Sequence, residues 1–292
     1  MSPSRSPDAA RSAGAAERPT ISGTAATAQE NRLVRVLASA RAASRKVLIP
    51  YIMAGDPDAA ATERLVETLV AAGADAIELG VPFSDPIADG PVNQRAGFRA
   101  LGRGMTLVGA IGLVTRIRQH TGVPLVFMTY YNLLLRHGVG TFCREATGAG
   151  LDGVITADLP PDEGESLIAE GRATGLATIF LLAPTSTDAR IRAVADASTG
   201  FIYCVSRTGV TGVRDEVPPE LGALVTRIRA ESKTPICVGF GISRPGQAKE
   251  VARIADGVIV GSAIVKMIED DPGDMHRVGA FVRELKTAVG GA

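Results

Sequence analysis

Tryptophan is absent from this 292-residue chain, and aromatic side chains make up only 4% of it. Its core must therefore be filled by Val, Ile, Leu and Ala, the residues of buried parallel strands and barrel interiors. Cysteine is scarce as well. Cys143, Cys204 and Cys237 are odd in number and show no metal-ligand spacing. Cys204 and Cys237 sit in apolar strand-like runs, where a thiol serves as a small core hydrophobe. His120, His137 and His276 are scattered and form no HExxH or triad-like grouping. A reducing, cytoplasmic setting with no metal and no cofactor is the expectation. Neither sign of charge is in excess: Lys plus Arg and Asp plus Glu each total 31. Without a basic surplus, nucleic acid and acidic membrane surfaces are poor partners. No apolar run approaches the about 20 residues of a membrane span. Met1 to Thr27 is rich in Ala, Ser, Arg and Pro and lacks the apolar segment of a secretory signal. Residues 1–28 read as a disordered tail, and Asp8 and Glu17 count against a transit peptide.

What the chain does have is alternation. Short runs rich in Val, Ile and Leu, bounded by Gly, Pro or Asp, are predicted strands at Val47–Met53, Asp75–Glu78, Pro124–Met128, Gly153–Ala157, Ala177–Leu182, Gly200–Val205, Pro235–Gly239 and Gly257–Val260. Helical periodicity falls between them at Ala60–Ala72, Leu107–His120, Asp188–Ala195, Glu220–Ala230 and Gln247–Ile254, with a further helix, Glu30–Ala43, in front. Eight such units specify a single α/β domain over residues 29–292, a closed (β/α)8 TIM barrel. An open doubly wound sheet would want a Gly-rich dinucleotide fingerprint after its first strand, and none is present.

In such a barrel, function gathers in the loops after the strands. The segment Glu78-Leu-Gly-Val-Pro-Phe-Ser-Asp-Pro-Ile-Ala-Asp-Gly-Pro91 places one glutamate at a strand end, with Asp85 and Asp89 in a proline-stiffened loop. Two acids in unlike environments can take unlike roles, one giving a proton and the other staying ionised. Chemistry alone leaves Asp85 open as a third candidate. Glycine-bearing loops after the sixth, seventh and eighth strands suit an anion, because backbone N–H groups at a helix start favour a phosphate. Gly239-Phe-Gly241 would supply amides, and Gly261-Ser262 opens a last helix. Gly239-Phe-Gly is not a nucleotide fingerprint, since the third glycine of GxGxxG would fall at Arg244. Ser206-Arg-Thr-Gly-Val-Thr-Gly212 reads as a lid hinged at Gly209 and Gly212, or as an ordinary surface loop. Tyr51 and Tyr203 can wall a pocket for a flat ring, or be core.

These segments, with Pro50-Tyr-Ile-Met-Ala-Gly-Asp-Pro57, Met128-Thr-Tyr-Tyr-Asn132, Ala157-Asp158 and Gly261-Ser-Ala-Ile-Val-Lys266, resemble the α subunit family of tryptophan synthase over residues 30 to 290. The resemblance implies retro-aldol cleavage of indole-3-glycerol phosphate to indole and glyceraldehyde 3-phosphate. It further implies that Glu78 is the general acid/base and that Asp89 binds the ring N–H. Substrate-lining positions map onto Tyr51, Met128, Tyr130, Ala157, Tyr203, Thr211, Phe240 and Ile259. Phosphate-site positions map onto Gly212, Gly241, Gly261 and Ser262. The family's α₂β₂ complex, in which indole passes to a pyridoxal-phosphate β subunit, implies contact surface at Pro82, Asp85, Pro86, Asn132 and Pro160, so that Asp85 faces the partner. Departures are the long tail, Leu133 where many members have proline, and Asn93 where the family often has an aliphatic residue. Two other readings are a stand-alone lyase releasing free indole and a non-catalytic ligand-binding regulator. The pair Glu78 and Asp89 argues against the regulator.

Overall fold

Parallel strands bury both faces, so they form where apolar runs are continuous, and this chain supplies such runs at regular intervals. The computed structural model describes residues 31–205, 219–239 and 241–292. Among them, nine strands run in parallel: β1 (Val47–Met53), β2 (Ile77–Gly80), β3 (Leu125–Thr129), β4 (Gly153–Thr156), β5 (Ala177–Ile179), β6 (Leu181–Leu182), β7 (Ile202–Val205), β8 (Ile236–Gly239) and β9 (Gly257–Val260). Their order in the sheet is β5-β4-β3-β2-β1-β9-β8-β7-β6. The expected fifth strand is divided at Phe180: its first half pairs with β4 and its second with β7. The Tyr203 N–H still reaches the Phe180 carbonyl at 3.1 Å, so the two ends of the sheet meet at one residue and the eight-unit barrel closes.

Helices wrap the strands: α1 (Arg32–Ala42), α2 (Ala59–Ala71), α3 (Pro91–Gly102), α4 (Leu107–Ile117), α5 (Tyr131–His137), α6 (Val139–Ala149), α7 (Glu165–Thr174), α8 (Asp188–Ala197), α9 (Pro219–Glu231), α10 (Pro245–Ile254), α11 (Ser262–Asp270) and α12 (Met275–Gly290). No single described helix is long and apolar enough to cross a membrane. The expected tail, residues 1–28, lies outside the described residues, as does Glu30 at the start of the expected first helix.

α1 closes one end of the barrel. Asn31 caps it, accepting from the Leu33 and Val34 N–H groups at 3.0 and 3.2 Å. The same side chain donates to the Asp152 and Gly175 carbonyls beneath β4 and β5, at 2.6 and 2.9 Å. Leu33 is thereby fully buried against Gly200. Asp152 also accepts from the Leu125 N–H at 2.9 Å and pairs with Arg118 and Arg32, which ties β3 and β4 to the helices.

Register decides which side chains fill the barrel. Partners in parallel strands point the same way, and neighbours along a strand alternate. Tyr51 pairs with Glu78 and Met53 with Gly80; Glu78 in turn pairs with Val126, and Gly80 with Met128. Tyr203 pairs with Cys237, and Ile49 with Ile259. Tyr203 on β7 senses the charge of Glu78 on β2 and of Tyr51 on β1, although neither strand is its sheet neighbour. Only side chains meeting across the interior do that, so this set lines the barrel.

Candidate active site

Glu78 lies inside the barrel with 1% of its surface exposed. Its Oε2 is buried and has no hydrogen-bond partner among the described residues. Burial, reinforced by the nearby charge of Asp89, pushes its carboxyl up to about 8. A carboxyl buried in this way keeps its proton at neutral pH, as a general acid must.

Asp89 is also buried, at 8% exposure, but its surroundings are polar. The Tyr130 hydroxyl donates to Asp89 Oδ2 at 2.8 Å while accepting from the Ala88 N–H at 3.1 Å. The Tyr130 ring stacks on Phe83, with centroids 5.0 Å apart. Gln94 Nε2 donates to the Asp89 carbonyl at 3.0 Å and to the Pro86 carbonyl at 3.3 Å, stitching the loop to the first turn of α3. Burial raises the Asp89 carboxyl, and the Tyr130 and Asn93 side chains pull it back by donating to the anion. The two acids are thus separated by their donors: none among the described residues for Glu78 Oε2, the Tyr130 hydroxyl for Asp89.

Two tyrosines complete the wall, and two strand glycines make room for them. A Cβ on Gly80 would lie 2.2 Å from the Tyr51 hydroxyl, and one on Gly239 would lie 2.3 Å from the Tyr203 hydroxyl. Each tyrosine therefore leans from its own strand over the C-terminal end of the next, toward the open mouth. Burial raises both phenols far above their usual range, so both remain protonated. Met128, Tyr130 and Ile259 are buried in the same wall, and Ala157 follows β4 at its rim, half-buried.

At the mouth, α11 begins with Gly261 as its N-cap, and among the described residues no side chain caps the free N–H groups there. Gly261 packs against the Tyr51 ring, so the helix start adjoins the pocket wall. Gly241 has φ +84°, a conformation that suits glycine, in the loop after β8. A helix N-terminus with open amides beside Ser262 fits a phosphate. Thr211, Gly212 and Phe240, and the expected lid with its Gly209 hinge, lie outside the described residues.

Of the expected partner-facing residues, Asp85 and Asn132 are exposed, and Pro86 and Pro160 are half-buried. Pro82 is buried, because it follows directly on the strand end where the Val81 N–H joins β3 at 2.8 Å. Among the described residues, no cluster of His, Cys, Asp or Glu is arranged to hold a metal ion. All three cysteines are buried and unpaired, and burial raises the Cys204 thiol to about 12. A cavity of about 640 Å³ lies elsewhere, between α7 and α8, and neither Glu78 nor Asp89 lines it.

Asn93, Gln94, Phe83 and Gly80 were not singled out as site residues by the sequence, and Gly239 was singled out only for its backbone amide. Gly80 and Gly239 carried a signal, since glycine inside a strand marks close approach by another group. Gln94 and Phe83 carried none, because their partners are set by the path of the loop.

Comparison with known proteins agrees with this geometry. The profile of the tryptophan synthase alpha chain family matches residues 37–289. The alpha chain of Geotalea uraniireducens is 49% identical over 261 residues, covering 89% of this chain and 98% of the relative. The crystal structure of the Legionella pneumophila alpha subunit superposes with a TM-score of 0.82 at 35% identity, covering 90% of this chain and 99% of that one. A tryptophan synthase structure from Mycobacterium tuberculosis gives 0.82 at 41% identity, covering 90% and 99%. A barrel with this strand order, two buried acids at its mouth and this extent of similarity belongs to the tryptophan synthase alpha chain family.

Proposed function

We propose that Glu78 and Asp89 perform the family's lyase reaction, the cleavage of indole-3-glycerol phosphate to indole and glyceraldehyde 3-phosphate. The observation that carries this reading is the unlike setting of two buried acids: burial and the charge of Asp89 push Glu78 up to about 8, whereas Asp89 accepts a hydrogen bond from the Tyr130 hydroxyl at 2.8 Å. Protonated Glu78 delivers its proton to indole C3, which places positive charge on the ring nitrogen. Ionised Asp89 accepts the hydrogen bond from that N–H and stabilises the cation. Glu78, now a carboxylate, takes the proton from the side-chain hydroxyl next to the scissile bond. The C–C electrons return to the ring, the aldehyde forms, indole leaves and Glu78 is again protonated. No net proton is gained or lost by the enzyme.

The phosphate is assigned to the start of α11, at Gly261 and Ser262, with Gly241 and Gly212. Tyr51, Met128, Tyr130, Ala157, Tyr203 and Ile259 enclose the ring, with Thr211 and Phe240 completing the set. We assign the β-subunit contact of an α₂β₂ complex to the same rim, at Asp85, Pro86, Asn132 and Pro160. Apolar surface there supports this: Ile87 is 75% exposed and Leu135 55%.

The test is indole release from indole-3-glycerol phosphate, alone and with a β subunit. Asp89→Asn keeps the shape but loses the charge, and the rate should fall about 30- to 10³-fold, a barrier raised by roughly 2–4 kcal/mol. An Asp89→Asn enzyme with the wild-type rate would overturn the assignment. Failure of a β subunit to change the rate would overturn the partner surface.

A further inference from the structure

We propose that Glu269 is a positioning residue that fixes, through Arg95 and Arg99, the span between the Asp89 loop and the phosphate site at the start of α11. The inference rests on the lyase reading above, with its assignment of the phosphate, and names residues that reading does not use. The two ends of the substrate are assigned to different units of the barrel. Asp89 stands just before α3, and Gln94 in the first turn of that helix holds the Asp89 and Pro86 carbonyls. Gly261 and Ser262 open α11 after the last strand. β1 lies between β2 and β9 in the sheet, so the strands that lead into the two helices do not pair.

Side-chain ties run from α3 to α11 through one carboxylate. Arg95 donates from Nε and Nη2 to Glu269 Oε1 and Oε2 at 2.7 and 2.8 Å, a two-pronged pair, and Arg99 Nη1 donates to Oε1 at 2.8 Å. Both arginines belong to α3 and Glu269 to α11. Arg99 turns its Nε and Nη2 to the two oxygens of Asp56, at 2.8 and 2.7 Å, and Asp56 is buried in the loop after β1. The loop after β1, α3 and α11 thus meet at one charged node. At about 1.5 Å per residue, that node lies about 12 Å along α3 from Pro91 and about 10 Å along α11 from Ser262. Both helix starts therefore stand at a similar distance from it. An isolated surface ion pair holds little, but bidentate pairs within a network hold a geometry. Donation by Arg95 and Arg99 keeps the Glu269 carboxyl down to about 2, so the tie stays charged near neutral pH. A ligand that engages both ends gains over its separate halves only while the span matches.

The experiment measures calorimetric binding of indole, of glycerol 3-phosphate and of a non-cleavable indole phosphate ester that joins them. It compares wild type with Glu269→Ala and Glu269→Gln, and records Tm for each. In both variants Arg99 keeps its pair with Asp56, so no buried carboxylate is stranded. In Glu269→Ala the ester should bind about tenfold more weakly, while each half binds within about twofold of wild type. Glu269→Gln, which keeps one acceptor oxygen, should lose less. Unchanged ester binding in Glu269→Ala, whatever its Tm, would overturn the proposal. So would ester and halves weakened alike, or a wild type that binds the ester no tighter than its halves. If ester binding depends on Glu269 as stated but wild type releases no indole, the spacing role stands and the lyase reading fails.

Discussion

At the scale of single residues, the site turns on how two carboxyls of similar intrinsic acidity come apart. Glu78 has an oxygen with no donor among the described residues and is pushed up to about 8; Asp89 has a donor in the Tyr130 hydroxyl. The same burial taxes the fold. Below the ordinary value of 4.5, folded and unfolded chains both hold the Glu78 proton. As pH rises toward about 8 the unfolded chain has released it while the folded chain keeps it, so stability falls through that window. A glutamine amide in its place has no proton to lose. Glu78→Gln should therefore gain on wild type between about pH 5 and about pH 8, by on the order of 4 kcal/mol at the upper end. Urea unfolding of both proteins across that range checks it, and a constant difference would contradict it. The acid motif was legible in the sequence because its residues are contiguous. The proposed division of roles came only from the resemblance, because the Tyr130 donor to Asp89 comes from another strand end.

At the scale of elements, small residues explain both the site's shape and what the sequence concealed. β2 ends in Gly80 because the Tyr51 hydroxyl occupies the space of a side chain there. Gly80→Ala should destabilise the barrel by about 1–3 kcal/mol through overpacking and displace the Tyr51 ring. Thermal unfolding and the KM for the substrate read the two effects; an unchanged protein would mean that the ring is loosely held. Strand β1 coincides with its expected span, Val47–Met53, because a continuous apolar run leaves little ambiguity. Helix α3 was not anticipated. Its buried face is Ala96, Gly97 and Ala100, which packs closely but makes no stripe of large apolar residues. α7 was hidden for the same reason, burying only Leu167 and Gly171. The split at Phe180 follows from barrel closure, where one strand must serve two partners, and no local pattern announces it.

At the scale of the whole molecule, the barrel closes at one end with α1 and opens at the other, where strand ends, the α11 start and the loop to α3 converge. The eight-fold alternation made that architecture readable, since each unit repeats the same burial. The rim was readable only in part: the resemblance placed Pro82 on the contact surface, and the strand end buries it. On the proposed mechanism this mouth keeps Glu78 protonated to move a proton, not to hold the ligand. The most direct measurement sets indole release from indole-3-glycerol phosphate by Glu78→Gln beside calorimetric binding of a non-cleavable indole phosphate ester. Turnover should fall by at least about 10³-fold while binding stays within severalfold of wild type. Turnover near the wild-type rate, or its loss only alongside lost binding, would contradict the account.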